Sequence, residues 1–125
     1  VVLVAYFGAS SYFAAIVMKI PRIPLDDSPA SVGLNYEDVS FPSRVDGITL
    51  KGWYCLGGES VIIFVNGGHQ NRVDPDMGTL ELTRDLVGRG YSVLLFDLRG
   101  RGESEGKGLR LTHTDRDIGG AVDYI

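Results

Sequence analysis

Two runs of apolar residues leave this chain few folds to choose from. Residues 60–66, SVIIFVN, and residues 91–98, YSVLLFDL, are built of β-branched and aliphatic side chains with no polar alternation. A strand with one wet face alternates, so an unbroken run requires cover on both faces, as in a parallel sheet between helices. Between the runs, MGTLELTRDLVGRG sets Met77, Leu80, Leu86 and Val87 at near-helical spacing, with Arg84 inside the stripe, and closes on Gly88 and Gly90. Strand, helix, strand predicts a parallel pair joined by a right-handed crossover. The fold class is α/β.

The flanking segments extend the pattern. YEDVSFPS and ITLKGWYCLG are strand-like, and Asp46-Gly47 in the RVDG between them tolerates the positive φ of a tight hairpin. THTDRDIGGAVDYI puts Ile118, Ala121, Val122 and Ile125 on one helical face, with Thr114 and Asp117 as a weak capping pair and Gly119-Gly120 against it. The order is hairpin, buried strand, helix, buried strand, helix, within the 125 residues of one modest domain. Net charge is −4, and Glu103 and Glu105 lie among Arg99, Arg101, Lys107 and Arg110. Without an uncompensated basic face, a nucleic-acid role is not expected. Cys55 is the single cysteine, which excludes an internal disulfide and a cysteine zinc site. His113, Asp115 and Asp117 splay apart at helical spacing, so neither metal nor cofactor is expected.

The first residue is Val, and VVLVAYFGASSYFAAIVM runs 18 residues without a charge. As a helix it would span about 27 Å, close to the hydrocarbon thickness of a bilayer. A membrane anchor, a cleaved signal peptide and a buried core helix compete; the expectation is a transmembrane or signal-anchor helix over 1–20, crossing once. Lys19 and Arg22 draw their side toward the cytoplasm, but residues before Val1 can outweigh them, and the side stays open. Residues 21–35 hold three of the five prolines and read as a linker or a loop laid over the surface. The globular part is expected over 36–125.

Ligands of an open parallel sheet bind beyond the carboxyl ends of its strands, where NGGHQNR and LRGRGESEGKG lie. Neither is a phosphate loop. Gly106-Lys107 is preceded by Arg101 where a Walker A needs Gly and followed by Gly108, and a dinucleotide pattern from Gly100 meets Glu105 where it needs Gly. Gly102-Glu103-Ser104-Glu105-Gly106 fits G-x-S-x-G, yet a nucleophile elbow turns from strand straight into helix. Ser104 lies seven residues past Asp97, with Gly106 and Gly108 opening a poor helix and two carboxylates opposing an oxyanion. It reads as a turn serine.

YEDVSFPSRVDGITLKGWY, VIIFVNGG and GYSVLLFDLRGRGESEG together resemble the N-terminal half of a bacterial α/β-hydrolase, of the lipase, esterase and serine-aminopeptidase-like branch, often with an N-terminal anchor. The most specific element is D-x-R-G-x-G-x-S at Asp97, Arg99, Gly100, Gly102 and Ser104, which in that family is a structural loop. The resemblance implies that Gly68 supplies an oxyanion-hole N–H, with Gly67 before it and Asn66 where the family commonly has His. His69 is a candidate for the pocket mouth. A serine hydrolase acting on an ester, thioester or amide of a small acyl substrate is implied. Nucleophile, acid and base are expected after Ile125, so the chain is not expected to act alone. The alternatives are a non-catalytic, membrane-tethered binding member of the fold and a related hydrolase with an Asp nucleophile. Substrate and oligomeric state are not legible.

Overall fold

The computed structural model describes residues 2–7, 23, 25–66, 70–75, 77–106 and 113–125. Five strands make one sheet: β1 (Val2–Phe7), β2 (Glu37–Pro42), β3 (Thr49–Cys55), β4 (Val61–Asn66) and β5 (Ser92–Phe96), in the order β1-β4-β5-β3-β2. Two helices accompany it, α1 (Thr79–Gly88) and α2 (Thr114–Tyr124).

The two continuous runs become β4 and β5, paired in parallel from Val61↔Ser92 to Val65↔Phe96, and every residue of both is buried. The reason is cover on both faces. One face packs Leu50, Ile63, Val65, Leu94 and Phe96 with Ala121 of α2, and the other packs Trp53, Ile62, Phe64, Val93 and Leu95 with Leu80 of α1. Each such side chain, fully buried, contributes about 2 kcal/mol. β3 runs antiparallel to both β5 and β2, so the hairpin completes the sheet on the far side of β5.

Both helices differ in detail from their sequence stripes. Met77 is 44% exposed and precedes α1, whose buried face is Thr79, Leu80 and Thr83, with Leu86 and Val87 packed beside them. Thr83 can be buried because its hydroxyl donates to the Thr79 carbonyl at 2.7 Å. In α2, Val122 and Ile125 are exposed, while Asp117, Gly119, Gly120 and Ala121 are buried. The glycines are the cause: a Cβ at Gly120 would collide with the Pro42 carbonyl, so the helix lies against the β2–β3 hairpin at a distance only glycine permits. The hairpin turn itself takes positive φ at Gly47 and also at Val45.

The N-terminal stretch departs most from expectation. Val2–Phe7 is a strand, parallel to β4 from Val2↔Val61 to Phe7↔Asn66, and not the opening of a helix over 1–20. The residues VLVAYF are strand formers, and β4 offers an edge whose N–H and C=O groups need partners. Residues 8–20 lie outside the described residues, and among those described no helix is long and apolar enough to cross a membrane. Residues 25–35 lie on the domain: Leu25 and Val32 pack against the Trp53–Leu80 cluster, and Pro29–Val32 form a short 3-10 turn.

Candidate functional site

Because β4 and β5 are parallel and in register, their following loops emerge at one rim of the sheet. In the loop after β5, over the described residues 97–106, several side chains satisfy backbone groups. Asp97, 1% exposed, accepts the Arg72 N–H on Oδ1 at 2.7 Å and the Glu103 N–H on Oδ2 at 2.9 Å. Burial pushes its carboxyl above the ordinary range, against the opposing pull of Arg72 and of the two backbone donors. Gly102 sits at φ +48, and a Cβ there would collide with the Asp97 carboxylate. Gly100, also at positive φ, donates its N–H to the Glu105 carbonyl at 2.9 Å.

Ser104 is 1% exposed, and its hydroxyl is engaged in both directions. Its Oγ donates to the Asp97 carbonyl at 2.6 Å and accepts the Lys51 N–H at 2.9 Å. Glu105 continues the stitching, its N–H donating to the Thr49 carbonyl at 2.9 Å and its Oε1 accepting the Thr49 N–H at 2.6 Å. The loop thereby extends the β3 ladder beyond the point where β5 ends. A serine so placed has its hydroxyl committed to the backbone of the β5 end and of β3.

Arg99 joins three elements. Its backbone N–H and guanidinium donate to Asp117 of α2 at 2.8–3.2 Å, and its Nη atoms reach Ser43 Oγ at 3.0 Å and Asp46 Oδ2 at 2.7 Å in the hairpin turn. Burial opposes its charge, and the hydrogen bonds to Asp117 and Asp46 outweigh that and hold it firmly protonated. Asp117, read from the sequence as a helix-cap residue, is instead fully buried and accepts from Ser43 as well, at 2.7 Å.

The loop after β4 is arranged differently. Asn66 ends the strand 3% exposed, and its Nδ2 donates to the Asn71 carbonyl at 2.7 Å, closing the loop at its base. Asn71 in turn accepts the Val73 N–H and donates to the Ile23 carbonyl at 2.8 Å, which ties the N-terminal segment to the same loop. Among the described residues the buried Asn66 Oδ1 has no hydrogen-bond partner. Gly67, Gly68 and His69 lie outside the described residues.

Arg72 was not singled out by any motif. Its side chain is 1% exposed, its guanidinium carbon stands 4.3 Å over the Trp53 ring, and it pairs with Glu103 and, at 3.7 Å, with Asp97. It thus links the two loops. A cavity of about 400 Å³ opens beside it, lined by Asp38, Ser40, Lys51, Gly52, Arg72 and Glu103. The only hint in the sequence was a cation in a glycine loop and a tryptophan on a strand, two residues whose meeting no spacing rule foretells. Among the described residues no group of His, Cys, Asp or Glu could hold a metal ion. Cys55 is buried, which pushes its thiol up to about 11 and leaves it unreactive.

No family model matches the chain, nor does any curated protein. Solved structures do. The Pyrococcus furiosus esterase Pf2001 superposes with a TM-score of 0.78 at 24% identity, covering 86% of this chain and 41% of its own; a second crystal form of it gives 0.75 and 26%. The fold is that of an α/β-hydrolase, in part. GrgF, an α/β-hydrolase from Penicillium sp. sh18, matches at TM-score 0.58 and 26% identity over 73% of this chain and 32% of that one. The chain therefore spans about two fifths of the length of the esterase it resembles.

Proposed function

We propose that this chain is the oxyanion-hole half of a serine hydrolase that cleaves an ester, thioester or amide of a small acyl substrate. In this reading Gly68 presents a backbone N–H to the developing oxyanion, Gly67 lets the loop approach the substrate, and His69 stands at the pocket mouth. Asn66 braces the loop base. Nucleophile, acid and base come from residues beyond Ile125, and the chain alone is inactive.

The observation that carries this proposal is the parallel register of β4 and β5, which delivers both glycine-bearing loops to one rim. The esterase neighbours support it. Ser104 is buried with its hydroxyl engaged on the Asp97 carbonyl and the Lys51 N–H, which fits a nucleophile supplied elsewhere, while in this reading the oxyanion donor stands at the rim. A donor at such a place is worth about 3 kcal/mol of transition-state stabilisation.

The test is fluorophosphonate labelling of the full gene product. Labelling at a serine other than Ser104 supports the reading. A folded protein that takes no label overturns it and favours a binding member or an Asp nucleophile. A label on Ser104 also overturns it.

A further inference from the structure

The guanidinium of Arg72 is buried but incompletely paired. Among the described residues its Nε and Nη1 have no hydrogen-bond partner, and Nη1 stands 3.7 Å from Asp97 Oδ2, beyond hydrogen-bond reach. The Asp97 oxygens are themselves committed to the Arg72 and Glu103 N–H groups. The guanidinium lies over the Trp53 ring, and its Nη2 donates to Glu103 Oε1. A cation taken out of water needs an anion with good hydrogen-bond geometry, and an aromatic face alone does not replace one. Here that anion is Glu103.

The two partners are unequally held. The Glu103 side chain is 62% exposed, although the guanidinium side chain it caps is 1% exposed. Glu103 can turn into water at little cost, and Arg72 cannot follow it. Glu103 and Arg72 both line the cavity of about 400 Å³, with Asp38, Ser40, Lys51 and Gly52. That volume is in the range of small-molecule sites. Lys51, exposed, brings a second positive charge to the lining. With Glu103 in place the lining is balanced, Lys51 and Arg72 against Asp38 and Glu103. With Glu103 turned out, only Asp38 opposes the two cations, and its Oδ1 already accepts the Trp53 indole N–H at 3.1 Å.

We infer that this cavity is a seat for the carboxylate of a small organic acid, and that Glu103 is a built-in occupant which the ligand displaces from Arg72. The present occupant names the class: Arg72 already takes a carboxylate at this place, and a second one satisfies the same Nη2 donor. The exchange itself is nearly balanced, because one carboxylate enters water as another leaves it. Lys51 tips it toward the ligand, since the incoming charge is shared between two cations. Ser40 offers a hydroxyl to the rest of the molecule. The seat belongs to the cavity and its charges, and is the same in a hydrolase and in a binding member of the fold.

Calorimetric titration of the full gene product with succinate tests it, at constant ionic strength made up with chloride. Saturable binding is expected, tighter by about tenfold in Glu103→Gln, which removes the competing charge and keeps the shape of the side chain. Lys51→Met is expected to weaken binding by about tenfold. Failure of Glu103→Gln to bind succinate, or binding no tighter than that of the unsubstituted protein, overturns the inference. So does a Lys51→Met variant that binds as well as the unsubstituted protein, and the exposure of Lys51 keeps this arm open should Glu103→Gln not fold. Inorganic phosphate bound more tightly than succinate also overturns it, since the seat is then not one for a carboxylate. None of these titrations reads hydrolysis, so fluorophosphonate labelling of the same product reports separately on the proposed function.

Discussion

The two loops at the rim leave neighbouring strands and yet are built on opposite principles. After β5, side chains serve the backbone: Asp97, Ser104 and Glu105 hold N–H or C=O groups of their own loop, of β3 and, at Arg72, of the neighbouring loop. After β4, Asn66 closes the loop base through one hydrogen bond, and its buried Oδ1 has no partner among the described residues. The comparison sets the serine of the G-x-S-x-G match in the first loop among the residues that hold backbone.

Substitutions should separate the two. The largest effect is expected from Gly102→Ala, which forces a side chain into left-handed backbone and against the Asp97 carboxylate. Stability should fall by about 3 kcal/mol or more, measured by urea unfolding. Next comes Ser104→Ala, which strands the Lys51 N–H and one hydrogen bond to the Asp97 carbonyl, at a cost of about 2 kcal/mol. Hydrolysis by the folded gene product should persist in that variant; loss of turnover without loss of fold would break the comparison. Asn66→Ala removes one hydrogen bond and also the unpaired acceptor, so stability should change by less than about 1 kcal/mol, while kcat of the gene product drops. Equal effects of the two substitutions on stability would show that the loops do not differ.

The smallest expected effect is on pH dependence. The Thr49 backbone N–H holds the Glu105 carboxyl below its ordinary value, and Arg99 does the same for Asp46. Their contribution is present above the unfolded carboxyl range and is lost as pH falls through their lowered values. Asp97 runs the other way: raised by burial, its contribution is complete below its unfolded value and is lost as pH rises through the raised one. The effects oppose each other, so the acid limb of stability is shallow. Asp97→Asn removes the opposing group and should steepen the fall between about pH 6 and 3, read from urea midpoints across that range.

Much of this was legible before any coordinates. The unalternating runs foretold β4 and β5 and their parallel pairing, because cover on both faces leaves no polar position in a strand. Distance from the strand end and the glycines after it were enough to set Ser104 apart from an elbow. The helix faces were read less well. Thr79 and Thr83 hide their hydroxyls on carbonyls of their own chain, and Gly119 and Gly120 are buried by a neighbour's approach, so hydrophobicity misjudged both. Residues 2–7 read as part of a helix because an uncharged run carries no mark of whether lipid or a sheet edge will cover it.

The sequence by itself determined what depends on near neighbours: the class of fold and the parallel pair. Only the tertiary structure decided which distant residues meet. Arg99 on Ser43, Asp46 and Asp117, Arg72 over Trp53, and Val2–Phe7 on β4 all join partners that no local period relates. Charge pairing and edge pairing act through space and not along the chain. Any carboxylate or any open edge of matching geometry satisfies them, and the fold chooses which one arrives.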